Sequence, residues 1–256
     1  MTIHFAPYYF LNAPHKITID LVGLGGTGSQ VLTNLARMNE ALVGLNRPGI
    51  HVRAWDPDIV SSSNIGRQLF SSADIDQNKA MVLITRINRY FGYEWQAVPE
   101  LYTGKETSNI IITCVDTAAA RIKINSKIAK LPAKTAANPV NKPYYWLDIG
   151  NLQKTGQVVL GTLTNIAQPH SEHKRKIVLP TVVKKFPQLK KIKEADQGPS
   201  CSLAEALEKQ DLFINSTLAQ FGCDLLWKLI REGMIKYHGC YVNLETLSVN
   251  PIKIAS

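Results

Sequence analysis

The residues able to do chemistry fall in a definite order along the 256-residue chain. The first is a turn. Gly23-Leu24-Gly25-Gly26-Thr27-Gly28 directly follows the apolar run ITIDLV. Glycine tolerates positive φ and puts no Cβ between a backbone N–H and an approaching oxygen. Where a helix starts, such a turn offers N–H donors and the positive end of the helix dipole to an anion. Gly23, Gly25 and Gly28 also satisfy G-x-G-x-x-G, the dinucleotide fingerprint. The turn alone does not separate NAD from ATP, and close helix packing is its bland alternative.

Next comes Asp56, at the end of HVRAW. An acid after the second strand can hold ribose hydroxyls, typically ~20 residues beyond the glycines. Here the distance is longer, and the insertion around Gly44 to Gly49 accounts for it. Asp58 is the weaker candidate and can be a turn residue. Arg67 and Gln68 follow. A hydride-transfer enzyme has no use for this pair, whereas an ATP-cleaving one does, because a guanidinium carries phosphate charge through a bidentate fork. Lys79 opens a helix and can give a phosphate a point charge. Asp116 ends the β-branched strand IIITCV, at the sheet edge where ligands gather. A carboxylate facing triphosphate is best explained by Mg²⁺. Its bland reading is an N-cap for the helix beginning near Ala118.

Cys201 lies in Pro199-Ser200-Cys201-Ser202, just before a helical stretch. There the dipole would favour a thiolate able to attack an acyl-adenylate; a structural cysteine is the equal alternative. Cys114 reads as strand packing, and Cys223 and Cys240 read as inert. The chain has no CxxC pair, which argues against zinc. His170 and His173, without further ligands, read as solvent-exposed.

These groups need a scaffold. Strand and helix patterns alternate over the first 160 residues: strands at 17–23, 51–55, 94–98 and 109–115, helices at 27–43, 76–91 and 118–131, then strands at 144–149 and 157–163. That alternation predicts a doubly wound, mostly parallel, Rossmann-like α/β sheet. We expect a core over 1–163, a basic crossover loop over 164–200, and C-terminal helices with a hairpin over 201–256 completing the same domain. The last helix should run from Leu203 to Glu232, with Leu212, Leu218, Leu225 and Leu229 on its apolar face.

Composition narrows the class. A hydrophobic content of 45% supports one large core. No apolar run spans a bilayer, and the N-terminal residues lack a signal-peptide pattern, so a cytoplasmic protein is expected. The net charge of +9 is concentrated between His173 and Lys193, a stretch without an acid. It is either a solvated loop or a surface for an acidic partner. Nothing supports specific DNA reading.

The ordered set G-x-G-G-x-G, D-x-D, N-x-x-R-Q, a helix-opening lysine and C-x-D resembles the E1-like ThiF/MoeB/HesA superfamily of adenylating enzymes. The resemblance covers residues 17–130 well and Pro199 to Leu229 more weakly. Within that superfamily, the small basic chain without zinc cysteines is most similar to the ThiF-family member of the PRTRC system. The resemblance implies an enzyme that uses ATP and Mg²⁺ to adenylate the C-terminal carboxylate of a small ubiquitin-like or sulfur-carrier protein. It further implies an E2-like neighbour and a homodimer or heterodimer. By position, Gly23, Gly25, Gly26 and Gly28 would line the phosphates and Asp56 would hold the ribose. Asn64, Arg67 and Gln68 would contact phosphates, Lys79 would stabilise charge, and Asp116 would bind Mg²⁺. Cys201 would accept the acyl group as a thioester.

The chain departs from the pattern in two places. Thr117 stands where relatives often carry Asn. No arginine precedes Arg37, where relatives often send one to the partner subunit's ATP, leaving His4, His15 or Lys16 as weak substitutes. Three rival readings remain at this point: an NAD(P)-dependent oxidoreductase, a non-catalytic nucleotide-binding subunit of a heterodimer, and a small-molecule adenylating enzyme of the tRNA-modifying kind.

Overall fold

The computed structural model describes residues 1–131, 138–191 and 210–255. The alternating pattern folds as expected into a mixed α/β layer structure. Strands β2 (Ile17–Val22), β3 (Ile50–Trp55), β4 (Gln96–Val98), β5 (Ile110–Thr113) and β6 (Tyr145–Asn151) form a parallel block ordered β4-β3-β2-β5-β6. β7 (Thr155–Thr162), β10 (Tyr237–Asn243) and β11 (Ser248–Lys253) extend it antiparallel beyond β6, making eight strands. The C-terminal hairpin is thus β10–β11, and it is built into the main sheet. A second, three-stranded sheet places β1 (Thr2–Phe5) between β8 (Lys174–Arg175) and β9 (Met234–Ile235).

Strand residues alternate between two cores, as a sheet covered on both faces requires. Ile110, Ile112, Tyr145, Leu147, Val158 and Leu160 face one core, shared with α2 (Gly26–Gly44), α3 (Lys79–Phe91) and α6 (Ile214–Arg231). Ile111, Trp146 and Val159 face the other, shared with α4 (Ala118–Ala129) and α5 (Val182–Lys185). The four-residue α1 (Tyr8–Leu11) adds Tyr9 and Phe10 to the first core.

The second face also buries two ion pairs. Asp148 on β6 is fully buried; both its oxygens accept from Arg121 Nε, at 3.1 and 3.0 Å, and Oδ1 accepts from Thr113 at 2.6 Å. Asp20 on β2 accepts from Arg53 Nε at 2.8 Å and from the Trp55 indole at 3.1 Å. A charge removed from water must be paired and hydrogen-bonded. These pairs therefore fix how α4 and β3 sit on the sheet.

The structure revises several boundaries. α3 starts at Lys79, not Asp76, because Asp76 has φ 65° and Asn78 caps the helix by accepting from the Met81 N–H. The long C-terminal helix begins at Ile214 among the described residues, and Leu212 lies before it, exposed. Leu218 and Leu229 are buried as expected, and Leu225 is half-buried. Residues 164–191 are not a plain loop. They contain β8, α5 and a 3₁₀ turn at Pro187–Lys191. His4 is buried, with Nε2 2.8 Å from the Tyr145 hydroxyl and Nδ1 2.5 Å from the Lys176 carbonyl. Both its ring nitrogens are thus engaged within this chain.

Two stability measurements check this account. Arg121→Met leaves Asp148 charged and buried without its partner. Denaturant unfolding should show a loss of about 3–5 kcal/mol. The pKa of His4 is lowered, first by burial, against a raising Lys176 carbonyl bond, with His238 lowering it further; that of His238 is likewise lowered by burial. The unfolded chain therefore takes up these protons first. Their contribution to stability is present above the unfolded value of ~6.5 and is lost as pH falls through the lowered folded values. Urea titrations across that range should show the decline, and His4→Gln should flatten it.

Candidate functional site

The parallel strands run outward from β2 in two directions, so a crevice opens between the carboxyl ends of β2 and β5. Ligands bind at such switch points in open α/β sheets. Gly23 leaves β2 with φ 88°, its N–H donating to the Trp55 carbonyl at 2.9 Å. A Cβ on Gly28 would lie 1.8 Å from the Gly23 carbonyl oxygen. Gly28 therefore serves the tightness of the turn and is not among the residues that line the cavity. Gly25 is the opposite case. A Cβ there would meet nothing nearer than the Gln68 amide at 3.9 Å.

A cavity of about 400 Å³ lies over this turn. Gly23, Gly25 and Gly26 form one wall; Asp56, Asp58, Arg67, Gln68, Lys79 and Asp116 converge on it. Trp55 and Tyr102 add an apolar wall, their rings edge to face at 5.4 Å. Asp56 is buried at 4% exposure; Oδ2 accepts from the Leu24 N–H at 2.5 Å and Oδ1 from the Asp58 N–H at 2.8 Å. Burial pushes its pKa up, while those two N–H groups and Lys79 pull it down; the net shift is upward. Lys79 Nζ donates to Asp58 Oδ2 at 3.1 Å, so Asp58 is more than a turn residue. Asn78 donates to the Asp56 and Asp58 carbonyls, pinning the start of α3 to both acids.

Arg67 is half-buried, and its pKa is lowered by desolvation and raised by the nearby Asp116 carboxylate. Its Nη1 donates to Gln210 at 2.5 Å. Its Nε and the Gln68 Oε1 are buried without a hydrogen-bond partner. Buried orphans of this kind are costly, and both belong to residues that line the cavity. Asp116 does not cap α4. Thr117 does, accepting from the Ala120 N–H at 3.1 Å, which leaves the exposed Asp116 side chain at the cavity. Asn64 stands apart: its Oδ1 accepts from the Ser61 N–H at 3.0 Å, and its carbonyl accepts from the Gln68 N–H at 2.9 Å. It shapes the turn carrying Arg67 and Gln68 and does not line the cavity. Cys201 falls outside the described residues. Cys114, Cys223 and Cys240 are buried free thiols, and burial raises the pKa of each. Among the described residues no group of three or more His, Cys, Asp or Glu could hold a metal alone.

The sequence reading missed a relay behind Arg67. Gln210 Oε1 also accepts from Asn215 Nδ2 at 2.9 Å, and Asn215 Oδ1 accepts from the Thr27 hydroxyl at 2.8 Å. A guanidinium in the segment between β3 and α3 is thereby tied to the first turn of α2 through α6. The polar triplet Asn215-Ser216-Thr217 at the start of an apolar helix was the one available signal. Tyr102, Lys123 and Lys127 also line the cavity and lay outside every motif.

The fold has likenesses among solved structures. The chain aligns with a PaaA crystal structure over 96% of its own length and 65% of that chain, at 17% identity and a TM-score of 0.60. It aligns with Escherichia coli MccB solved with AMPCPP and MccA over 96% and 65%, at 14% identity and a TM-score of 0.60. With E. coli MccB plus ATP the values are 96%, 66%, 13% and 0.58. The chain spans about 65% of the length of the first of these. No curated protein matches the sequence significantly. The ThiF family profile matches residues 10–223, and the chain belongs to the ThiF family. No described helix is long and apolar enough to cross a membrane.

The two glycines predict opposite behaviour. Gly28→Ala should lower the melting temperature markedly, because the new methyl meets a carbonyl. Gly25→Ala should keep the fold and weaken nucleotide binding, as measured by calorimetric titration, because its methyl projects into the cavity.

Proposed function

We propose that this chain binds MgATP in the cavity and adenylates the C-terminal carboxylate of a small ubiquitin-like or sulfur-carrier protein. The observation carrying the proposal is the convergence of the Gly25 cradle, Arg67, Gln68, Lys79 and Asp116 on one cavity. Membership in the ThiF family and likeness to MccB, solved with ATP and with MccA, support the same reading.

The residues present fit the nucleotide. The Gly25–Gly26 end of the turn and the N-terminus of α2 would face the phosphates, Asp56 would hold the ribose, and Trp55 with Tyr102 would give the base an apolar wall. Asp116 would hold Mg²⁺. A single carboxylate suffices there, because Mg²⁺ commonly takes one or two carboxylates and completes its shell with phosphates and water; it would supply charge compensation on the triphosphate. A carboxylate oxygen of the incoming tail attacks the α-phosphorus. The α–β phosphoanhydride bond breaks, and pyrophosphate leaves with the electron pair. No base is needed, since the nucleophile is ionised at neutral pH. The chain's task is orientation and charge stabilisation. Arg67 would add its charge at the phosphates, and Lys79 would share its own between Asp58 and the phosphates.

Transfer of the acyl group to Cys201, an E2-like acceptor, a PRTRC-type setting and a dimeric assembly belong to the same proposal. They rest on the family pattern, the small basic chain and the position of Cys201 in the sequence. The NAD(P)-oxidoreductase reading leaves Arg67, Gln68 and Lys79 without a role.

ATP–pyrophosphate exchange with the cognate carrier tests the reaction. Arg67→Ala and Asp116→Ala should each lower exchange by roughly 10²–10³-fold, the scale for losing one transition-state charge contact. No exchange by the wild type, or exchange untouched by both substitutions, rejects the proposal.

A further inference from the structure

The cavity opens beside a lysine surface that carries no ion pair among the described residues and is assembled from two segments distant in sequence. α4 and the α5–3₁₀ segment pack through a small apolar contact. Ile124 and Ile128 are buried in the same cluster as Val182 and Val183, with Phe186 and Leu189 against them. Around that contact, Lys123 on α4, Lys130 at its C-cap, Lys184 on α5, and Lys190 and Lys191 on the 3₁₀ turn are exposed, and Lys185 on α5 is half-buried. Among the described residues none of the six forms an ion pair. Neither α4 nor the segment 173–191 contains a single acid. Like charges held together by a packed contact repel one another, a cost a solvated loop would avoid by spreading out.

The surface is continuous with the site. Lys123 and Lys127, one helical turn apart, line the cavity itself, and Lys127 Nζ donates to the Tyr102 carbonyl at its wall. The one arginine of α4, Arg121, is withdrawn into the buried pair with Asp148. What remains outside is lysine only: strongly hydrated point charges without the planar fork favoured for phosphate recognition. Such a surface suits long-range attraction of a carboxylate-rich face better than bidentate reading of a nucleic-acid backbone.

We propose that this α4–α5–3₁₀ face docks an acidic protein partner, steering the partner's C-terminal tail into the cavity at the Lys123–Lys127 side. The inference rests on the adenylation reading for the tail's destination, but the surface can be tested without turnover. The probe is a fluorescein-labelled octaglutamate peptide ending in Gly-Gly, titrated by anisotropy into the full chain at 20 mM and 200 mM salt. A charge-matched DNA duplex and phosphatidylserine vesicles are titrated in parallel. The wild type should bind the peptide, with binding falling steeply at the higher salt as charges are screened. Lys184→Glu/Lys190→Glu/Lys191→Glu should weaken it at least tenfold while leaving ATP affinity unchanged. If that variant does not fold, Lys190→Ala/Lys191→Ala replaces it, with a threefold loss expected. Peptide binding that is absent, or equal in wild type and variant, overturns the proposal. So does variant-sensitive binding of the duplex or the vesicles in preference to the peptide. ATP titration of the same samples reports separately on the cavity, so a failed surface and a failed nucleotide site give different results.

Discussion

The carboxylate of Asp56 holds the site together. It sits at the end of β3 and grips the Leu24 N–H inside the glycine turn and the Asp58 N–H beyond its own strand. The turn, the second acid and, through Asn78, the start of α3 are thereby locked to one buried group. A buried carboxylate is costly unless saturated with donors. Two backbone N–H groups and the field of Lys79 only partly offset that cost, since the net pKa shift remains upward. Each oxygen has made one hydrogen bond and keeps acceptor capacity, which is what a group destined for ribose hydroxyls would need.

The same logic extends outward. α2 begins in the glycine turn, and its Thr27 hydroxyl reaches Asn215 on α6, which reaches Gln210, which reaches Arg67. Arg67 is thus held from behind by an element more than a hundred residues away. Its Nε is left unpaired, on a residue that lines the cavity over the turn. A charged side chain positioned by its own network, with one donor spare, is preorganised for an anion and loses little rotamer freedom on meeting it.

Much of this was legible in the sequence because the signals were local. The glycine spacing, the β-branched run at Ile110–Thr113 and the lysine after Asn78 each report on their immediate neighbourhood. What escaped was non-local or one residue out of phase. The strand Thr2–Phe5 lies among prolines and aromatics and pairs only with segments near residues 174 and 235, so no periodicity announced it. The prolines of 164–191 suggested a loop, yet Thr181 after Pro180 starts a short helix whose valines fill the second core. Asp116 and Thr117 are both good caps by type, and only the coordinates show that Thr117 takes the cap and frees its neighbour. Asn64 and Gly28 stand in the right motif positions but act on the turn rather than on the cavity. A motif preserves the shape of a site as well as its contacts, and spacing alone cannot divide the two.

Charge balance in the cavity bears on what can occupy it. Among the described residues its acidic and basic lining is four cations, Arg67, Lys79, Lys123 and Lys127, and four carboxylic acids, Asp56, Asp58, Glu100 and Asp116. Lys79 is already paired with Asp58, and Asp116 already acts on Arg67. The pocket is therefore not a basic sink, and a bare triphosphate would find its charge only partly met there. On the adenylation reading a divalent cation closes that gap, and the placement of Asp116 beside Arg67 gains a reason. The acid would hold the metal against the phosphates on one side while the guanidinium holds them on the other.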